Sequence, residues 1–385
     1  MGLKMALLYG GQSGEHEVSI MSACSVLEAI DKDLMEIFPI GIGKDGRWYP
    51  GLSPQTVKAS GTLEVRPLPP AATDSSLASE GFASEGLASE GLACKGLGGE
   101  DLLDNTGGFL LGALKEKVDV VFPLLHGPKG EDGTVQGLLE LAGIPYVGAG
   151  VAASALGMDK ALMKAVFREK GIPIGDYRVY LRSEWRERPA EIVGEIEDAL
   201  GYPCFVKPAN LGSSVGITKA HDRQELAVAL EIAAGYDRKL IVEAFIDGRE
   251  IECAVLGNDR PEASVPGEII PGAEFYDYDD KYVHGKTKLI IPAPLPEKTT
   301  EEIRSLAIRA FKAIDCEGFA RVDFFVLREN GRVLVNEINT IPGFTKISMY
   351  PKLWEASGLP YPKLIERLVA LALERYEDLK QNKLF

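Results

Sequence analysis

Cysteine is sparse in this chain: five among 385 residues, at Cys24, Cys94, Cys204, Cys253 and Cys316. The number is odd, the spacing is irregular and no C-x-x-C pair occurs. That pattern argues against a disulfide framework and against a zinc site, and it sets the expectation of a reducing cytosol. Long apolar runs are missing too; none approaches the ~18 residues of a membrane span. The opening MGLKMALLYGG reaches its glycines too early for a signal peptide and lacks Ser or Thr at the sixth position for myristoylation. A cytoplasmic protein with no membrane partner is therefore expected. Positive charge is in deficit: 42 Lys and Arg stand against 57 Asp and Glu, a formal charge of −15. A broad nucleic-acid surface does not fit that balance. A protein this acidic that binds a polyphosphate must gather its cations locally and add a metal. Two phosphate signatures are absent as well. Without the G-x-x-x-x-G-K-[ST] loop there is no Walker site, and without the G-x-G-x-x-G turn a nicotinamide oxidoreductase loses its fingerprint.

What is present is ordinary in bulk. The chain is long enough for two or three domains, and 45% hydrophobic with 26% charged residues suits a globular protein. Residues 1 to about 150 alternate apolar runs with helical patterns. Met5–Leu8, Leu34–Ile42 and Val118–Leu125 read as strands, and a helix with an Asp132 cap follows. This βαβ order predicts an N-terminal α/β unit with a mostly parallel sheet. From Leu77 the sequence repeats LASEG, FASEG, LASEG, LACKG and LGGE, too short a period for a solenoid. It reads as a low-complexity surface insertion at about 75–100. A second unit, 151–243, opens a helix at Asp159-Lys160 and carries a strand ending at Lys207-Pro208. A third, 244–385, has strands at Glu250–Leu256, Ala320–Leu327 and Val333–Asn339, with helices near 298–314 and 361–378. The strand Leu240–Glu243 is read with this last group. Strands following strands predict an antiparallel or mixed sheet, so the fold class is α/β (α+β).

Several short stretches carry chemistry. In Arg321-Val-Asp323 and Glu337-Ile-Asn339, residues two apart on a strand share one face. If the two strands are neighbours, Asp323, Glu337 and Asn339 converge as hard oxygen ligands suited to Mg²⁺, with Arg321 beside them. The alternative is two edge strands with solvated polar faces. Lys207 followed by Leu-Gly-Ser213-Ser214-Val-Gly resembles an anion nest for phosphate. Glu243-Ala-Phe-Ile246-Asp-Gly-Arg-Glu250 reads as a hinge whose backbone could pair with adenine and whose Glu250 could hold ribose, or as an ordinary turn. The loop from Phe275 through Lys281-Tyr282 to Lys288 is rich in aromatics and charge, as an active-site lid would be. Asn339-Thr-Ile-Pro-Gly343 to Ser348-Met349 brings a glycine turn into a helix start, where amides can bind a carboxylate or oxyanion. His126 follows a strand end, where α/β sites form, though a lone histidine is often structural. The turn YGGQSGEHEVS places Glu15 where a phosphate would want amides and no negative charge. Taken by itself, Glu15 is a helix-start acid favoured by the macrodipole.

Taken in order, these stretches resemble the D-alanine–D-alanine ligases of the ATP-grasp superfamily. The matching pieces are GGQSGEHEVS, LLHGPKGEDGTVQG, MDK, FVKPANLGSSVG, VEAFIDGREIE, FYDYDDKY, GFARVDFF and NEINTIPGFTKISM, covering residues 5 to about 350. The resemblance implies three domains that clasp ATP between two sheets. It implies Lys160 and Lys207 at the phosphates, Ser213 and Ser214 in the loop over them, Glu243 and Ile246 near adenine, and Glu250 at ribose. It implies Lys281 on the transferred phosphate and Asp323, Glu337 and Asn339 as ligands of two magnesium ions, with manganese a substitute. It implies Glu15, Ser213 and Tyr282 as a hydrogen-bonded trio, Glu15 meeting the amine of the first D-alanine. Arg321 and Gly343 would face the oxyanion, Ser348 and Met349 the second carboxylate, and His126 or the trio would take a proton. The implied product is D-alanyl-D-alanine for peptidoglycan, made by a cytoplasmic homodimer. A sister ligase using D-serine or D-lactate is the near rival, and Lys281-Tyr282 favours the dipeptide. A non-catalytic nucleotide-binding protein is the distant one; it predicts a lost ligand, and none is lost.

Overall fold

The computed structural model describes residues 2–60, 112, 114–212, 215–270 and 287–383. The pentapeptide repeat, Ser213, Ser214, Lys281 and Tyr282 lie outside the described residues. The N-terminal unit contains β1 (Leu3–Gly10), α1 (His16–Ala29), β2 (Met35–Ile42), β3 (Trp48–Pro50), α2 (Pro54–Ser60), β4 (Val120–Pro123) and α3 (Thr134–Ala142). Its sheet runs β3-β2-β1-β4, with β1 parallel to β2 and β4 and only β3 antiparallel. Asp132 is not the N-cap of α3. Gly133 takes that position with φ 92°, and Asp132 accepts the Thr134 N–H at 3.0 Å from just outside the helix.

Two helices follow, α4 (Val151–Met158) and α5 (Lys160–Glu169). A small unit then contains β5 (Tyr177–Leu181), α6 (Arg182–Glu187), α7 (Pro189–Ala199), β6 (Cys204–Pro208), β7 (Thr218–Ala220), α8 (Arg223–Tyr236) and β8 (Lys239–Ala244). Its sheet order is β5-β8-β6-β7, all antiparallel. The strand Leu240–Glu243 therefore sits inside this sheet, not with the strands after it. Phe245–Asp247 carries the chain across to a second sheet.

That sheet is built from β9 (Gly248–Leu256), β10 (Glu262–Ala263), β11 (Gly267–Ile270), β12 (Lys288–Ile290), then, after α9 (Glu297–Ala313), β13 (Phe319–Leu327) and β14 (Val333–Asn339). Its order is β12-β11-β9-β13-β14, antiparallel, with β10 on β9. Helices α10 (Met349–Ala356) and α11 (Tyr361–Leu379) close the chain.

Packing does not follow chain order. Met163 and Phe167 of α5 are buried with Ile303, Phe311, Val322 and Val335, so α4 and α5 belong to the core of the six-stranded sheet. Helices α10 and α11 return to the N-terminal sheet. Tyr350, Leu353, Leu364 and Leu368 are buried with Met5, Leu7 and Phe122. At that seam Phe344 stands edge-on to Phe122 and Phe319, with centroids 5.6 and 5.8 Å away. These rings fasten the first strands to the loop 339–348, which fixes two walls of the cavity described next.

Candidate active site

A cavity of about 830 Å³ opens where the units meet, and Glu15, His126, Glu131, Lys160, Arg321 and Glu337 are among its lining residues. One wall comes from the end of β1. Gly10 has φ 93°, and a Cβ there would fall 2.3 Å from the Ile42 carbonyl oxygen, so only glycine lets the chain turn. The Gly10 N–H donates to Ser19 Oγ at 2.7 Å, and the Ser19 hydroxyl donates to the Leu124 carbonyl. Strand ends and helix are thereby welded, and Glu15 emerges at the N-cap of α1. Its carboxylate lies between two backbone segments: a Cβ added at Gly127 or at Gly212 would meet Glu15 Oε2 at 2.9 Å. The early acid thus reaches Gly212, at the start of the glycine-serine loop.

The opposite wall is the face shared by β13 and β14. Arg321 pairs with Asn339 and Asp323 with Glu337 across the two strands, so all four side chains share one face. Arg321 grips Asp323 through two hydrogen bonds of 2.7 and 2.8 Å, and Asn339 Nδ2 donates to Asp323 at 3.0 Å. A register shift between Asp323 and Phe324 marks a bulge beside this cluster. Arg321 also lies 3.0 Å from Glu252 on β9. Burial works against the guanidinium charge, but Asp323 and Glu252 overcome it and hold its pKa well above the usual arginine range.

A second group adjoins the first. Lys160 opens α5 behind the Asp159 cap, donates to the Leu211 carbonyl at 2.7 Å and comes within 3.9 Å of Glu337. Lys207 on β6 lies 2.5 Å from Glu243 on β8. Glu250 leads into the same region from β9, and its charge helps hold the Lys207 ammonium protonated, behind the larger effects of Glu243 and Glu337. Ile246 lies in the link between β8 and β9 and reaches to Gly175.

Comparison with known proteins gives the family. Residues 4–149 match the family model for the D-ala D-ala ligase N-terminus, and residues 166–370 match that for the D-ala D-ala ligase C-terminus. The chain belongs to the D-alanine–D-alanine ligase family. It is similar to the D-alanine--D-alanine ligase of Ruminiclostridium cellulolyticum, 51% identical over 98% of this chain and 97% of that protein. It is similar to that of Acetivibrio thermocellus, 52% identical over 97% of each chain. Among solved structures, a D-alanine-D-alanine ligase from Coxiella burnetii superposes with a TM-score of 0.77 at 39% identity, covering 99% of this chain and 96% of that one. The VanG D-Ala:D-Ser ligase of Enterococcus faecalis follows with a TM-score of 0.76 at 35% identity, over 97% and 100%.

Within this ligase one sequence-based role needs correction. His126 is no free base. Its Nδ1 faces the Ile341 carbonyl oxygen at 2.9 Å and its Nε2 faces Ser22 Oγ at 3.2 Å. Burial pushes its pKa down, against the nearby Glu15 and the Ile341 bond, so the ring is a neutral link between the N-terminal unit and the loop after β14. The Glu243 side chain is taken up by two lysines, and the expected adenine contact concerns the backbone here. Strand alternation turns its carboxylate inward between Lys164 and Lys207. Burial favours its neutral form, yet the two lysines hold it well below the usual carboxylate range.

Gly343, Ser348 and Met349 line the cavity of the ligase at the start of α10. Ser348 Oγ accepts the Thr345 N–H at 3.1 Å, which closes the turn before the helix. Three residues were not anticipated. Glu252 was two residues along from Glu250 in GREIECAVL, on the same strand face. Lys164 was one helical turn beyond Lys160. Glu131, in the GEDG run, accepts the Gly127 N–H at 2.8 Å. Burial pushes the Glu131 carboxyl up to about 8, and the neighbouring Glu15 adds to this.

Proposed function

We propose that this ligase joins two D-alanines in two steps at the cavity between β1, β13 and β14. A carboxylate oxygen of the first D-alanine attacks the γ-phosphorus of ATP, the bond to the bridging oxygen breaks, and ADP leaves. The second amine then attacks the acyl-phosphate carbonyl, loses a proton, and phosphate departs as the C–O bond breaks. The observation carrying this reading is the convergence of Glu15, Arg321, Glu337 and Asn339 on one cavity, with Asp323 hydrogen-bonded to Arg321 and Asn339 beside it. Glu15 suits an ammonium, because it is a carboxylate lining the cavity beside the Gly127 and Gly212 backbone. Arg321 and the amides near Gly343 suit an oxyanion. Ser348 and the start of α10 suit the second carboxylate.

Among the described residues no three His, Cys, Asp or Glu gather as a complete metal site. Two carboxylates and an amide are what a magnesium ion needs when phosphate oxygens and water fill the remaining positions. Asp323, Glu337 and Asn339 fit that demand, and the ion would offset charge on the phosphates. Lys160, Lys207 and Arg321 of this chain bind and orient the triphosphate against the incoming carboxylate, so their task is positioning and charge compensation. Magnesium as the metal, two ions rather than one, the homodimer and a cytoplasmic supply of dipeptide for peptidoglycan belong to the same reading and rest on the family. The division at 1–150, 151–243 and 244–385 is a sequence-based part of the same reading, with the helices of 151–169 packing on the sheet of the third unit. The similarity to a D-Ala:D-Ser ligase keeps fold apart from second-substrate choice, and the roughly half-identical relatives favour D-alanine.

The test is ADP release with D-alanine alone, then with D-serine or D-lactate added. Turnover with D-alanine alone that matches dipeptide formed supports the reading. Turnover that appears only when D-serine or D-lactate is added overturns the choice of second substrate.

A further inference from the structure

Lys160 and Lys164 lie four residues apart on α5 and therefore share one face. They behave differently. Lys160 lines the cavity, whereas the Lys164 side chain is only 4% exposed and is absent from the lining. The Lys164 ammonium lies 2.8 Å from Glu243 Oε1 and donates to the Asn336 carbonyl at 3.1 Å. The other oxygen of the same carboxylate faces Lys207 at 2.5 Å. One buried anion thus stands between two cations, Lys164 sealed in the fold and Lys207, which also feels Glu337 of the cavity wall.

The charge count matters here. Lys207 already faces Glu243, Glu337 and Glu250. If Glu243 had Lys207 as its sole partner, the two would cancel, and little attraction would remain for a polyanion. A second ammonium on Glu243 leaves the triad with one net positive charge. Lys164 also spans two sheets: Glu243 lies on β8 of the small sheet, and Asn336 stands beside Glu337 on β14 of the large one. It therefore helps set the gap between them.

We propose that Lys164 is a positioning residue for nucleotide binding, holding Glu243 so that Lys207 keeps its charge for phosphate. This rests on the reading of Lys207 as a phosphate contact. A residue that merely supports the fold would weaken the protein without selecting among substrates. A residue that sets the charge at Lys207 acts on ATP and not on D-alanine.

The experiment compares Mg–ATP binding by calorimetry in the full-length wild type, Lys207→Met, Lys164→Met and Lys164→Met/Glu243→Gln, with melting temperature and steady-state kinetics for each. Lys207→Met and Lys164→Met should each raise the Kd at least about ten-fold, as expected for a lost charge at a buried site. Lys164→Met should raise KM for ATP while KM for D-alanine stays within about two-fold. The double variant removes one charge of each sign and should bind more tightly than Lys164→Met alone. Wild-type affinity in Lys164→Met, or a double variant weaker than Lys164→Met, overturns the proposal while leaving Lys207 in place. Unchanged binding in Lys207→Met overturns the nucleotide reading and the proposal with it. Should Lys164→Met fail to fold, the double variant decides: a Kd tighter than that of Lys207→Met supports the proposal, and a weaker one overturns it.

Discussion

Replacing Glu131 by Gln should change how the stability of the free ligase depends on pH. The Glu131 carboxyl is pushed up to about 8 in the fold, first by burial and then by Glu15, from an ordinary value of 4.5. A group whose folded pKa is raised binds its proton more tightly in the native state. Its contribution to stability is whole below pH 4.5 and is lost as pH rises toward about 8. One proton gives a slope of at most about 1.4 kcal/mol per pH unit inside that window, so about 5 kcal/mol is the ceiling. Relaxation of the site and partial solvent access bring the figure below that ceiling. Glutamine keeps an oxygen for the Gly127 N–H and carries no charge to repel Glu15. Denaturant unfolding of wild type and Glu131→Gln from pH 5 to 8, without substrate, isolates this one group as a difference. The variant should gain on the wild type steadily as pH rises. Parallel curves would refute the reasoning, because they would mean that Glu131 ionises in the fold as readily as in the unfolded chain.

Two further perturbations test the frame around the site. Gly212→Ala puts a methyl group 2.9 Å from Glu15 Oε2, and the side chain must give way. KM for the first D-alanine should rise by about ten-fold or more with little loss of melting temperature, since a movable carboxylate yields before the backbone does; an unchanged KM would detach Glu15 from the amine. Phe344→Ala empties the contact with Phe122, Phe319 and Tyr350 and should cost about 3–5 kcal/mol in urea unfolding. Turnover should fall with it, because Gly343 precedes the lost ring; a cost below ~1 kcal/mol would show the seam to be loose.

The face of β13 and β14 was legible because a strand has a period of two. Arg321 with Asp323 and Glu337 with Asn339 needed only to be neighbours, and their registers make them direct partners. Glu15 was legible as the wrong charge for a phosphate turn. Lys164 was not. In MDKALMKAVF it looks like any lysine on an amphipathic helix, and only its contacts with Glu243 of one sheet and Asn336 of the other mark it out. Glu243 was placed correctly on its strand, but its partners come from β6 and α5, which strand periodicity does not reveal. The small sheet's outer limit was misread for a related reason. Consecutive strands β8 and β9 look like a hairpin, yet the link Phe245–Asp247 sends them into different sheets. His126 sits past a strand end as expected, but both its ring nitrogens are engaged by contacts more than a hundred residues away along the chain.

The central claim is that the acids of β13 and β14 hold a divalent ion against the phosphates while Glu15 and Arg321 fix the first amino acid. The direct test is dipeptide formation from D-alanine and ATP as magnesium is titrated, in wild type, Asp323→Ala and Glu337→Ala chains confirmed to be folded. The account predicts magnesium-dependent product in the wild type and its near-complete loss in both variants. Wild-type turnover in either variant would contradict it.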